Sequence, residues 1–146
     1  MLFRSTDNAK LVCYTDADWA SSHDRKSTSG FLIYYGNNLV SWSSKKQTTV
    51  ALSSTEAEIV AATEAVRELI WIRQLIVSFG IVVDTPTLYC DSQPAIYIAH
   101  ATGFNARSKH LDVKYKFLAQ CVYNDDVNIT YVSTNDMYAD LSLIHI

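Results

Sequence analysis

Near the start of the chain stands a short apolar stretch that ends in an acid, Leu11-Val12-Cys13-Tyr14-Thr15-Asp16. Its β-branched and aromatic residues predict a strand. A second stretch of the same kind, Thr87-Leu88-Tyr89-Cys90-Asp91, lies in the later half of the chain and also ends in an acid. Ligands collect at the carboxyl ends of strands in α/β sheets, so two neighbouring strands would carry both carboxylates to one place.

Between these two strands the hydrophobic pattern changes its period. Residues 30–35 and 39–44 predict two further strands, joined to the first in hairpin fashion. From about residue 54 to 79 the apolar residues recur at helical spacing, and Gly80 ends the pattern as a C′ glycine. The segment Ser53-Ser54-Thr55-Glu56 supplies a capping signature at the start of this long helix.

The later part of the chain alternates helices with strands. Its pattern predicts helices over residues 92–99 and 109–123, a strand over 127–132, and a last helix from 135. The resulting order, βββ–α–β–α–α–β–α, predicts an α/β fold whose five-stranded mixed sheet begins with three antiparallel strands and is flanked by helices. The length of 146 residues suits one domain that spans residues 1–146.

Composition argues against several classes of protein. No apolar run approaches the roughly 20 residues that span a bilayer, and the N-terminus turns polar too early for a secretion signal. We therefore expect an intracellular, cytoplasmic protein without membrane contact. The three cysteines lack C-x-x-C spacing, which favours buried reduced thiols over a zinc site or disulfides. The net charge of −3 disfavours nucleic-acid binding as a sum, but basic residues gather at 25–26, 45–46 and 107–116.

Four acids are candidate metal ligands, namely Asp16, Glu58, Asp91 and Asp140. Glu58 heads the apolar face of the long helix, where an acid needs a partner, whereas Glu56 heads a more polar stripe; either could instead only cap the helix. Asp16 could be a turn residue, and Asp140 a solvated helix acid. Clustered oxygen ligands without a competing His or Cys set select Mg²⁺ or Mn²⁺, and two such ions can clamp an in-line displacement at phosphate.

Six strings of residues run in order along nearly the whole chain: Tyr14-Thr15-Asp16-Ala17-Asp18-Trp19-Ala20, Asp24-Arg25-Lys26-Ser27-Thr28-Ser29-Gly30, Ser41-Trp42-Ser43-Ser44-Lys45-Lys46-Gln47, Val50-Ala51-Leu52-Ser53-Ser54-Thr55-Glu56-Ala57-Glu58, Tyr89-Cys90-Asp91-Ser92-Gln93 and Arg107-Ser108-Lys109-His110-Leu111-Asp112. Each string alone is weak evidence. Together, at these spacings, they resemble the ribonuclease H domain that ends the Pol polyprotein of copia-type LTR retrotransposons.

The resemblance implies a ribonuclease H-like fold with the first and fourth strands adjacent. It implies that Asp16, Glu58, Asp91 and Asp140 are the catalytic metal ligands, with Glu58 preferred over Glu56. The implied reaction is hydrolysis of the RNA strand of an RNA–DNA hybrid, dependent on two Mg²⁺ or Mn²⁺ ions. Such a domain is normally fused to a reverse transcriptase in the polyprotein, and as an isolated domain we expect it to be a monomer.

The chain departs from the family at its end. Such domains usually continue past the Ala-Asp pair with a Thr-Lys-Pro segment and further helix, whereas Ala139-Asp140 is followed here by Leu141-Ser142-Leu143-Ile144-His145-Ile146. We therefore expect a truncated last helix. The alternative to an active enzyme is a catalytically weak or inactive remnant that keeps the fold and nucleic-acid binding. Another nuclease of the same superfold, such as an exonuclease or an integrase, fits the strings and the element order less well.

Phosphate contacts should position a hybrid, and contacts to 2′-hydroxyls should identify its RNA strand. The run Lys45-Lys46-Gln47 is expected on the solvent side, where the lysines could also be a merely solvated strand end; His110 could be a helix-start residue. No histidine lies between Val127 and Asp140, so water would protonate the leaving group. The side chains predicted to bind substrate are Ser27, Ser29, Lys45, Lys46, Gln93, Lys109 and His110.

Overall fold

The computed structural model describes residues 9–20, 22–101 and 113–137. Its helices and strands follow the predicted order, and the α/β class with a five-stranded mixed sheet is confirmed. A 3₁₀ turn, Thr134–Asp136, follows the last strand. The predicted start of the third helix and the predicted last helix beyond residue 137 lie outside the described residues. The elements are β1 Leu11–Asp18, β2 Thr28–Tyr35, β3 Asn38–Lys46, α1 Ser54–Ser78, β4 Thr87–Cys90, α2 Gln93–His100, α3 Val113–Tyr123 and β5 Asn128–Tyr131.

The sheet has the strand order β3-β2-β1-β4-β5. β1 is antiparallel to β2 and parallel to β4, and β4 is parallel to β5. Parallel neighbours end at the same edge of a sheet, so the carboxyl ends of β1, β4 and β5 all lie at one edge. Tyr14 pairs with Tyr89 in this register, and two residues beyond that pair stand Asp16 and Asp91.

One face of the sheet is covered by α1. Leu11, Ile33 and Leu88 project from three different strands, are at most 2% exposed, and form the core beneath the helix. The buried face of the helix includes small side chains, among them Ala61 and Ala65. Small residues let the helix backbone lie close to the sheet. A side chain near the start of α1 can therefore reach the edge where β1 ends.

The start of α1 separates the two candidate glutamates. Ser53 Oγ accepts a hydrogen bond from the Glu56 amide at 3.1 Å, and Glu56 Oε2 accepts one from the Leu52 amide at 2.8 Å. Glu56 is only partly exposed and is occupied with capping, which leaves Glu58 as the buried, inward-facing acid. At the other end, Gly80 has a φ of +81° directly after the cap residue Phe79, so the predicted glycine stop is confirmed.

Gln47 corrects the prediction that the end of β3 faces solvent. Its side chain is 2% exposed, and Nε2 donates to Ser29 Oγ at 2.9 Å and to the Ala57 carbonyl at 3.0 Å. The solvent-side prediction is wrong for this residue because its amide turns inward to bridge β2 and α1. Lys45 and Lys46, by contrast, are exposed as predicted.

The structure also bears on the predictions of reduced cysteines and of a chain without a membrane-spanning segment. Cys13, Cys90 and Cys121 are free and buried, as predicted. No helix within the three described ranges is both long and apolar enough to cross a bilayer.

Candidate metal centre

Two carboxylates meet where β1 ends beneath the start of α1. Asp16 and Glu58 are each 8% exposed. The amide of Ala17 donates to Asp16 Oδ1 at 2.9 Å and to Glu58 Oε1 at 3.3 Å. One backbone N–H therefore serves both acids and fixes a helix side chain against a strand side chain.

The electrostatics of this pair are unfavourable without a cation. Burial raises the pKa of Glu58 well above that of an ordinary glutamate, and the charges of Asp16 and Asp91 raise it further, while the Ala17 amide opposes the rise. Glu58 Oε2 is buried and has no hydrogen-bond partner among the described residues. A buried carboxylate oxygen of this kind is costly unless a proton or a metal ion occupies the space beside it.

The end of β4 supplies a third acid and a thiol. One ligand atom each of Glu58, Cys90 and Asp91 lies within 4.8 Å of the others. Asp91 is partly exposed, whereas Cys90 is 1% exposed. Burial, followed by the charge of Glu58, raises the pKa of the Cys90 thiol to about 12.

Thr134 is a site residue that sequence reasoning missed. Its hydroxyl donates to Asp91 Oδ2 at 3.2 Å. The residue lies in the 3₁₀ turn after β5, and β5 runs parallel to β4. The signal that could have found it is topological, since residues following the carboxyl end of a parallel neighbour reach the same edge.

Three of the four predicted acids are thus brought together from β1, α1 and the end of β4. The fourth, Asp140, lies outside the described residues. Carboxylate oxygens are the ligands that Mg²⁺ and Mn²⁺ prefer. The orphaned Glu58 oxygen and the mutual repulsion of the acids fit a divalent cation held between them, so the residues present suit the metal that the resemblance implies.

No protein-family model matches the chain. Over 132 residues, 90% of this chain, it is 41% identical to a retrovirus-related Pol polyprotein from transposon TNT 1-94 of Nicotiana tabacum. Over 142 residues, 96% of this chain, it is 37% identical to the corresponding polyprotein from transposon RE2 of Arabidopsis thaliana. The chain spans 10% of the length of each of these relatives.

The chain is homologous to a segment of plant copia-type Pol polyproteins. Solved structures show the fold of this Pol segment. LC11-RNase H1, isolated from compost, matches it with a TM-score of 0.66 at 16% identity over 91% of both chains. The N-terminal ribonuclease H domain of a Mycobacterium tuberculosis protein matches with a TM-score of 0.62 at 16% identity, covering 92% of this chain and 90% of that one. The fold is that of ribonuclease H, as predicted.

Two side chains predicted to contact substrate, Ser27 and Ser29, lie inside the fold, and their contact with substrate stays a prediction. Ser27 is fully buried and Ser29 is 3% exposed. Ser27 Oγ accepts a hydrogen bond from the Ala20 amide at 3.0 Å, and Ser29 Oγ accepts the one from Gln47. Both hydroxyls are therefore used inside the fold, where the β1–β2 loop and the end of β3 cover the start of β2.

The lysines predicted to bind substrate lie at the same edge as the acids. Asp18 pairs with Thr28, and Thr28 pairs with Lys46, so β3 ends at the same edge as β1, with the start of β2 between them. Lys46 Nζ is 2.7 Å from Asp24 Oδ2, and this ammonium holds the pKa of Asp24 well below its usual range. Lys45 and Gln93 are exposed. Lys109 and His110 lie outside the described residues.

Proposed function

We propose that this Pol segment is a ribonuclease H that hydrolyses the RNA strand of an RNA–DNA hybrid with the help of divalent metal. The observation that carries the proposal is the convergence of Asp16, Glu58 and Asp91 at one edge of a ribonuclease H fold. A further support is that LC11-RNase H1, which shares the fold, has been solved in complex with an RNA/DNA hybrid.

The three acids would hold two Mg²⁺ or Mn²⁺ ions, with Asp140 as a proposed fourth ligand. Bound there, the ions would supply an activated water and would stabilise the charge that develops on the leaving oxygen. The chain contributes orientation. The Ala17 amide holds Asp16 and Glu58 in place, and the Thr134 hydroxyl holds Asp91.

Substrate binding is proposed for the basic end of β3 and the loop before β2. Lys45 and Lys46 end β3 at the edge of the sheet where β1 also ends, and Arg25 and Lys26 lie in the β1–β2 loop at the same edge. Cations around an acidic centre can contact phosphates on either side of a scissile bond while the acids hold metal. Gln93, exposed at the start of α2, is the proposed contact on the β4 side, where 2′-hydroxyls would be read.

Cleavage of a labelled hybrid tests the proposal. The purified chain is incubated with Mg²⁺ and an RNA–DNA hybrid, with Asp91→Asn as the inactive variant and Asp125→Asn as a matched control on the exposed turn after α3. We expect RNA cleavage by the wild type and by Asp125→Asn only. Hybrid binding without cleavage above the Asp91→Asn level would overturn the enzyme and leave an inactive, nucleic-acid-binding remnant.

A further inference from the structure

We propose that Glu58, Cys90 and Asp91 form a mixed oxygen–sulfur site that takes a thiophilic divalent cation such as Cd²⁺ or Zn²⁺, with the Cys90 sulfur as a direct ligand. The site shares Glu58 and Asp91 with the metal centre of the proposed ribonuclease. The inference rests on the proposed function only through these two shared ligands. It would make the centre chemically different from one lined by oxygen atoms alone.

The geometry puts the thiol among the acids. Along β4, Leu88 and Cys90 project to the face covered by α1 and are buried there. Glu58 reaches that face from α1, and Asp91 follows Cys90 at the strand end. One ligand atom of each lies within 4.8 Å of the others. Among the residues that the structure describes, no other group of three such side chains comes this close.

A second observation points to a bound cation. The Glu58 side chain is more than nine-tenths buried, and its Oε2 has no hydrogen-bond partner in the described part of the chain. Cys90 Sγ accepts a hydrogen bond from the Ser92 amide at 3.4 Å, which holds the sulfur in place at the end of β4. The other two cysteines, Cys13 and Cys121, are buried but do not belong to such a group.

The chemistry of the donors selects soft ions. Thiolate ligands favour zinc-like metals, whereas carboxylates alone favour Mg²⁺ and Mn²⁺. Bonds of about 2.3 Å to sulfur and about 2.1 Å to oxygen around a tetrahedral zinc ion put neighbouring ligand atoms about 3.6 Å apart, so ligand atoms that lie within 4.8 Å of one another would draw together by side-chain rotation as the ion binds. As the sulfur–metal bond forms, the thiol proton leaves to solvent, and no electron is transferred.

Titration with Cd²⁺ alone tests the site in the full chain. We expect the ultraviolet charge-transfer absorption of a cadmium–thiolate bond, saturating at one ion. Cys90→Ser should remove this band and weaken Cd²⁺ binding at least about tenfold, the loss typical even of an outer-shell partner. Cys121→Ser is the matched control and should keep both. An unchanged band in Cys90→Ser, or no band in the wild type, would overturn the proposal.

A second variant keeps the test decisive if Cys90→Ser does not fold. Glu58→Gln retains the thiol and removes one ligand charge, so Cd²⁺ affinity should again fall at least about tenfold; equal affinity would contradict a shared site. Hybrid cleavage by the wild type is measured in parallel. Cleavage without a Cys90-dependent band would overturn the mixed oxygen–sulfur site and leave the ribonuclease proposal standing. A Cys90-dependent band without cleavage would overturn only the ribonuclease proposal.

Discussion

A buried carboxylate beside a second carboxylate destabilises a protein unless a proton or a cation lies between them. Glu58 is in this position, with Asp16 across the shared Ala17 amide and a pKa raised by burial and by neighbouring charge. The unfolded chain carries the ordinary glutamate pKa of about 4.3. Because the folded value is higher, the metal-free protein loses stability as pH rises from the unfolded value toward the folded one.

Glu58→Gln should therefore stabilise the metal-free protein at neutral pH, by roughly 1–3 kcal/mol. The gain should shrink toward zero as pH falls to the unfolded pKa. Urea unfolding in chelator at pH 5 and pH 8 measures both values. Glu56→Gln, the same change on the partly exposed capping glutamate, is the control and should show no comparable gain. Added Mg²⁺ should stabilise the wild type and not Glu58→Gln; a variant less stable than wild type in chelator would contradict this account.

Thr134 gives a second prediction for a single residue. Thr134→Val keeps the shape of the side chain and removes the hydrogen bond to Asp91 Oδ2. Outer-shell partners of this kind are typically worth about 10- to 100-fold in metal affinity, so Mn²⁺ binding measured by calorimetry should weaken within that range. Thr130→Val, on the exposed side of β5, should bind Mn²⁺ like the wild type. Equal affinity of Thr134→Val and wild type would show that the hydroxyl does not orient Asp91.

At the scale of elements, the sequence predicted the strands and helices whose hydrophobic periodicity and end signals are local. β1, β4 and α1 were predictable because apolar runs, a cap and a stop glycine are local signals. The inward turn of Gln47 and the burial of Ser29 were not, because polar side chains at a strand end are read as solvated until a helix is packed over them. The contact of Thr134 with Asp91 could not be predicted either, because it depends on the pairing of β5 with β4.

Gln47 joins three elements, and its loss should be felt as stability. Its amide donates to Ser29 Oγ and to the Ala57 carbonyl, both of which are left without this donor in Gln47→Ala. The expected cost is about 1–3 kcal/mol in the free energy of unfolding by urea. Gln93→Ala, at an exposed position, should stay within about 0.5 kcal/mol of the wild type. A neutral Gln47→Ala would mean that the start of α1 is held without this bridge.

At the scale of the whole molecule, the net charge of −3 hides a separation of charge. The acids lie at the centre of one edge, and the cations that precede β2 and end β3 lie at the same edge. Composition could not predict this arrangement, because a net charge does not say where the charged residues lie. The resemblance did predict acids at the metal site and lysines near the substrate.

Salt dependence of hybrid binding tests this separation. Lys45→Ala should weaken binding to all sequences alike and lower the slope of log affinity against log salt by about 1. Lys46 is paired with Asp24, so Asp24→Asn should free its ammonium and strengthen binding. Filter binding in Ca²⁺, between low and moderate salt, measures both. Identical slopes for Lys45→Ala and wild type would place the hybrid elsewhere.

We propose that acids from separate elements form one metal-dependent centre for RNA cleavage. The most direct measurement is the Mg²⁺ dependence of RNA-strand cleavage in a hybrid by the wild type, by Asp16→Asn and by Asp18→Asn, the last being the same change two residues on at an exposed position. We predict Mg²⁺-dependent cleavage by the wild type and Asp18→Asn, and none by Asp16→Asn. Cleavage by Asp16→Asn at the wild-type rate would contradict the account.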